Sequence, residues 1–208
     1  MTPYTLRPGC DGRRIWQNFN DASRRDGSFF GVGVGGGWFR LVDSPVVFYF
    51  AHHWPDYEVK ALTIADLEMK AASIAAALQL ELQSALFGDD ELHYFLQYGD
   101  NSSFSDHILQ NMRASAPSLR FMAQERATIN DVGFRLSASK QLHHEFNTAA
   151  DFLANLDFRG FLHCMQSIAP GATCVRLQPS PDTVDLSKII QWLTGVSALG
   201  SALSKTRV

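Results

Sequence analysis

The chain has 208 residues, of which 46% are apolar and 19% charged, enough for one domain with a core of its own. A net charge of −3 and a pI of about 6.1 exclude any global electrostatic case for nucleic-acid or membrane binding. Cys10, Cys164 and Cys174 are an odd number without CxxC spacing, which argues against a disulfide framework and a cysteine zinc site.

The opening MTPYTLRPGCDGRR has no apolar h-region, and the apolar stretch from 189 to 203 is too short to span a bilayer. An intracellular protein is expected, cytoplasmic or nuclear and not secreted, with no membrane partner. Arginine supplies thirteen of the eighteen basic residues, a choice that suits bidentate phosphate contacts as well as an ordinary solvated surface.

A first strand is expected over residues 14 to 22, ending at Arg24-Arg25-Asp26-Gly27, whose Asp-Gly pair signals a hairpin turn. A second strand runs from about Ser28 to Leu41. Inside it, Gly31-x-Gly33-x-x-Gly36 fits the dinucleotide fingerprint letter for letter. The fingerprint needs a helix after it, and Trp38-Phe39-Arg40-Leu41 followed by the Asp43-Ser44-Pro45 turn provides none. No dinucleotide is expected at this stretch, and the glycines serve a bend, a bulge or a close approach to a neighbour. Val46 to Phe50 is the third strand of an antiparallel meander.

Thr63 opens a long helix, with Asp66 three residues on as an acid variant of the capping box. Ile64, Leu67, Ala71, Ile74, Leu78 and Leu82 keep helical spacing, and Gly88 lies just past the end. A fourth strand covers Leu92 to Tyr98. Short helices follow over about 103 to 112 and 118 to 126, then a fifth strand over Val132 to Ser137. Asn147 is placed as the side-chain cap of a helix reaching about Asn155. The expected fold is α/β: a mixed five-stranded sheet, three antiparallel meander strands plus two reached through helical crossovers, with flanking helices. Residues 158–208 are broken by Pro170, Pro179 and Pro181, and are expected to form an extension with one helix from about Thr183.

Four acids fall at strategic places: Asp21 in the first strand, Glu68 on the long helix, Asp100 at the tip of the fourth strand, and Asp151 in the last helix's first turn. Crossover topology makes the fourth strand a neighbour of the first, so the four can meet at one end of the sheet. Unrelieved, they would repel and take up protons. Magnesium relieves the strain, and two such ions can activate a water and stabilise a leaving oxygen. Acids at strand ends and helix starts are also commonplace, and spacing alone leaves both readings open.

Four local patterns sharpen the choice: Asn20-Asp21-Ala22-Ser23, Ile64-Ala65-Asp66-Leu67-Glu68-Met69, Tyr98-Gly99-Asp100-Asn101-Ser102-Ser103 and Asn147-Thr148-Ala149-Ala150-Asp151-Phe152-Leu153. In this order they resemble the D-A-S, I-x-x-L-E, D-N-[ST] and N-x-x-A-D-x-L motifs of the RNase H-like domain of reverse-transcribing retroelements, over residues 14–155. The resemblance implies a nuclease domain at 12–157 that cuts the RNA strand of RNA–DNA hybrids. Asp21, Glu68, Asp100 and Asp151 would be ligands of two Mg2+ or Mn2+ ions. It implies a histidine near the last aspartate, for which His143 and His144 are the candidates. A reverse transcriptase domain is a candidate partner.

Ser23, Arg24, Arg25, Asn101 and Ser102 are the expected substrate contacts, with Arg113, Arg120 and Arg126 as further phosphate contacts. His52-His53 has no companion at ligand spacing and reads as a loop feature. The family's Ser-Arg after the last aspartate is missing, and so is a lysine-rich hybrid-binding handle. Two other readings stay open: a DNA-cutting nuclease of the same superfamily (transposase- or resolvase-like), and a catalytically idle domain that binds nucleic acid or a polymerase.

Overall fold

The computed structural model describes residues 14–25, 32–55, 62–87, 93–101 and 136–180. Their elements are β1 (Arg14–Arg25), β2 (Val32–Leu41), β3 (Val46–Trp54), α1 (Ile64–Phe87), β4 (His93–Gly99), β5 (Leu136–Gln141), α2 (Thr148–Ala154), α3 (Phe158–Ile168) and β6 (Thr173–Arg176). A single 3-10 turn, His144–Phe146, precedes α2.

The strands form one mixed sheet in the order β5-β4-β1-β2-β3-β6. β1, β2 and β3 are the antiparallel meander, β4 lies parallel to β1, and β5 lies parallel to β4. The α/β class, the meander and the crossover strands are as expected. The sheet has six strands among the described residues, not five, because β6 pairs parallel with β3 from Val46↔Thr173 to Tyr49↔Arg176.

Alternation along the strands divides the core in two. On one face Trp16, Phe39, Phe50, Trp54 and Phe95 pack under α1 through Leu67, Ile74 and Leu78. On the other, Phe19, Trp38, Tyr49 and Tyr98 pack under α2 and α3 through Ala150, Leu153, Phe161 and Met165. The aromatic rings of Trp38, Phe19 and Tyr98 stack across three adjacent strands, at centroid separations of 4.2 and 4.8 Å.

Several element ends move. β3 continues to Trp54, so His52 and His53 lie in a strand and not in a loop. β5 runs to Gln141, beyond the Ser137 end read from sequence. The stretch after 157 contributes α3 and β6 to the same packed unit, so the described fold continues past residue 157. α3 is capped by Asp157, whose carboxylate accepts from Gly160 N at 2.8 Å. The helices expected at 103–112, 118–126 and from 183, with Arg113, Arg120 and Arg126, lie outside the described residues. Among the described residues, no helix is long and apolar enough to cross a membrane.

The glycines of β2 have a definite use. The β1–β2 register is unbroken from Trp16↔Leu41 to Arg25↔Val32, so the paired stretch contains no bulge. A Cβ on Gly35 would strike the Trp54 ring, and one on Gly36 would lie 2.5 Å from the Leu153 carbonyl carbon in α2. Close approach is therefore their role. Gly33 and Gly36 sit inside a paired strand, and Gly31 lies outside the described residues.

Candidate metal centre

Parallel pairing aligns Phe19 of β1 with Tyr98 of β4. Opposed residues in parallel strands share a face, and so do residues two apart. Two steps beyond that pair, Asp21 and Asp100 therefore come together at the strand ends. Glu68 arrives from the start of α1, which the capping box fixes. Thr63 N and Oγ1 each donate to Asp66 Oδ2 at 2.8 Å, and Asp66 N donates back to Thr63 Oγ1 at 3.2 Å. One carboxylate oxygen each from Asp21, Glu68 and Asp100 lies within 4.8 Å of the other two.

Two of these acids are buried: Asp21 is 7% exposed and Glu68 6%. Burial, with Asp100 adding to it, pushes the Asp21 carboxyl up to about 7, although Asp21 Oδ1 accepts from Ala22 N at 2.8 Å. Burial and the neighbouring Asp21 push Glu68 up to about 8, against the opposing hydrogen bond from Asn101 Nδ2 at 3.3 Å. Glu68 Oε2 is buried and has no hydrogen-bond partner. A compact all-oxygen donor set, an orphaned carboxylate oxygen and two carboxyls raised toward neutrality fit a hard divalent cation. Asp21, Glu68 and Asp100 can hold one.

Asp151 does not belong to that triad. It stands on α2 close enough for its charge to raise Asp21 and His144, while its Oδ1 accepts from Asn155 Nδ2 at 2.9 Å. The histidines part company. His144 Nδ1 lies 3.2 Å from Asp100 Oδ2, and that hydrogen bond raises its pKa even though the ring is largely exposed. His143 Nδ1 instead lies 3.5 Å from Glu145 Oε1. The loop carrying them is fastened at β4: Leu142 N donates to Gly99 O at 2.7 Å, and Gln141 Nε2 to Asp100 O at 3.0 Å.

Of the expected substrate contacts, Asn101, Ser23 and Arg24 have hydrogen-bond partners within the protein. Asn101 reaches Glu68 as described. Ser23 Oγ donates to Ala154 O at 2.6 Å, and Arg24 Nη1 to Leu62 O at 2.9 Å. The Arg25 side chain and Ser102 lie outside the described residues. Asn147 is at the N-cap position but makes no capping hydrogen bond; its Nδ2 donates instead to Asn20 O at 3.0 Å. The preceding 3-10 turn takes up the Asn147 backbone N–H through His144 O, and its side chain turns to the sheet. The hydrogen bonds made by Ser23 and Asn147 were not legible as such in the sequence. The sequence marked Asn147 only as a helix cap and as the first residue of the N-x-x-A-D motif.

No family model and no curated protein matches the sequence. Among solved structures, the chain is similar to RNase H1 from the halophilic archaeon Halobacterium salinarum, at 19% identity and a TM-score of 0.49, covering 70% of this chain and 98% of that one. It is also similar to the N-terminal RNase H domain of a Mycobacterium tuberculosis protein solved as a maltose-binding-protein fusion, at 17% identity and a TM-score of 0.48, covering 74% and 99%. A third is an RNase H1 isolated from compost, at 17% identity and a TM-score of 0.42, covering 72% and 98%.

Proposed function

We propose that the chain is a divalent-metal-dependent nuclease of the RNase H type, which hydrolyses the RNA strand of RNA–DNA hybrids. The observation that carries this reading is the convergence of the Asp21, Glu68 and Asp100 carboxylates from β1, α1 and the end of β4. Asp151, on α2 and near enough for its charge to act on Asp21, completes the set proposed to serve two ions.

When bound, Mg2+ or Mn2+ supplies water activation and stabilisation of the leaving oxygen. The chain's own residues prepare that site. Asp21 and Glu68 are kept dry, which strengthens their attraction for a cation. Asn101 orients Glu68 through Oε1 and leaves Oε2 free to bind. His144 is tethered to Asp100 with its ring open to solvent, where it can carry a proton between the site and water. The four local motifs support a retroelement polyprotein as the origin, with a reverse transcriptase domain as the natural partner.

The test is cleavage of an end-labelled RNA–DNA hybrid. The RNA strand is cut in Mg2+ or Mn2+ and not in excess chelator, and Asp100→Asn abolishes the cut. Cleavage that persists in chelator would overturn the reading. Equal cutting of duplex DNA would move the chain to a DNA-cutting branch.

A further inference from the structure

Resting on the metal-centre reading above, we propose that Ser23 and Asn147 are positioning residues that clamp α2 to β1 on either side of Asp21 and so hold Asp151 in place. Asn147 immediately precedes α2, and its Nδ2 donates to Asn20 O, one residue before Asp21. Ala154 ends α2, and its carbonyl accepts from Ser23 Oγ, two residues after Asp21. Each end of the helix is thus tied to one flank of the same aspartate.

The clamp meets a physical need. α2 has seven residues, too few to be stable by its own hydrogen bonds. It adheres through Ala149, Ala150, Leu153 and Ala154, a small apolar face whose attraction is non-directional. Such a face fixes contact but not register. Between the two ties the helix backbone rests on Gly36, the residue opposite Asp21 in β2. Asp151 then projects from the partly exposed side, with Asn155 one turn on holding its carboxylate. The Ser23 hydroxyl, expected from sequence to meet substrate, spends its proton inside the protein.

The experiment uses the full chain and Ser23→Ala, Ser23→Thr, Asn147→Asp, Asp151→Asn and the Ser23→Ala/Asp151→Asn double variant. In the metal-free protein, amide hydrogen exchange across 148–154 should quicken roughly tenfold in Ser23→Ala and Asn147→Asp while α1 is unchanged. With hybrid and Mg2+, kcat should fall roughly tenfold to a hundredfold with KM unchanged. Ser23→Thr should restore both, and Ser23→Ala should add nothing once Asp151 is Asn.

Unchanged exchange over 148–154 in both variants overturns the clamp. A raised KM at constant kcat makes Ser23 a substrate contact and overturns its positioning role, as does full additivity with Asp151→Asn. If the wild-type chain cuts no nucleic acid, the nuclease reading fails, and the exchange measurement still decides the clamp.

Discussion

The two sides of the candidate site are built by different means. Asp21, Glu68 and Asp100 stand on two adjacent parallel strands and a capped 24-residue helix, where backbone ladders and a large core fix their places. Asp151 stands on a seven-residue helix held by side-chain hydrogen bonds and backbone contact at one glycine. Two carboxylates on the first side are buried and raised toward neutrality, whereas Asp151 is only partly covered. The lesson is a division of labour: rigidity and desolvation for the triad proposed to hold an ion, side-chain ties and close backbone contact for the fourth carboxylate.

The largest expected effect breaks the rigid side. Asp100→Asn should lower hybrid cleavage by at least about a thousandfold, as loss of a charge-stabilising group in a dry site does, measured as initial rates in saturating Mg2+. Stability should move the opposite way when buried charge is removed. The folded protein keeps protons on Asp21 and Glu68 that the unfolded chain loses at ordinary carboxylate pKa values. Between about pH 4 and 8, stability of the metal-free protein from these two groups therefore falls as pH rises, and Mg2+ should restore it. Asp21→Asn should raise metal-free stability at pH 8 by on the order of 2 kcal/mol in denaturant titrations.

Smaller effects separate the two sides. Gly36→Ala forces a methyl against the Leu153 carbonyl carbon and should cost about 1–3 kcal/mol, with hydrogen exchange localised to α2. Thr63→Ala removes half of the capping box and should cost about 1 kcal/mol in thermal unfolding, felt at Glu68 and not at Asp151.

The rigid side was the legible one. Strand alternation, the Asp-Gly turn and the Thr63–Asp66 box are local signals that bring Asp21, Glu68 and Asp100 to one end of the sheet, and the motif resemblance then named them, with Asp151, as ligands. The helix-borne side depends on partners far apart in sequence: Ser23 with Ala154, and Asn147 with Asn20. Asn147 read as a cap because its residue type does that job locally, and Ser23 read as a substrate contact from its place beside Asp21; neither long-range partner leaves a local signal. α3 carried a readable signal, Asp157 before Phe158, Phe161 and Met165 at helical spacing, which the prolines on its far side obscured. β6, at four residues, is too short for alternation to register.

Calorimetric titration of the full chain with Mn2+ at pH 7, repeated in buffers of different ionisation enthalpy, tests the central claim most directly. Asp21 and Glu68 hold protons near that pH, so binding should release about one proton and disappear in both Asp21→Asn and Asp100→Asn. Binding that survives both substitutions, or no binding by the wild-type chain, would contradict a metal centre built on these three carboxylates.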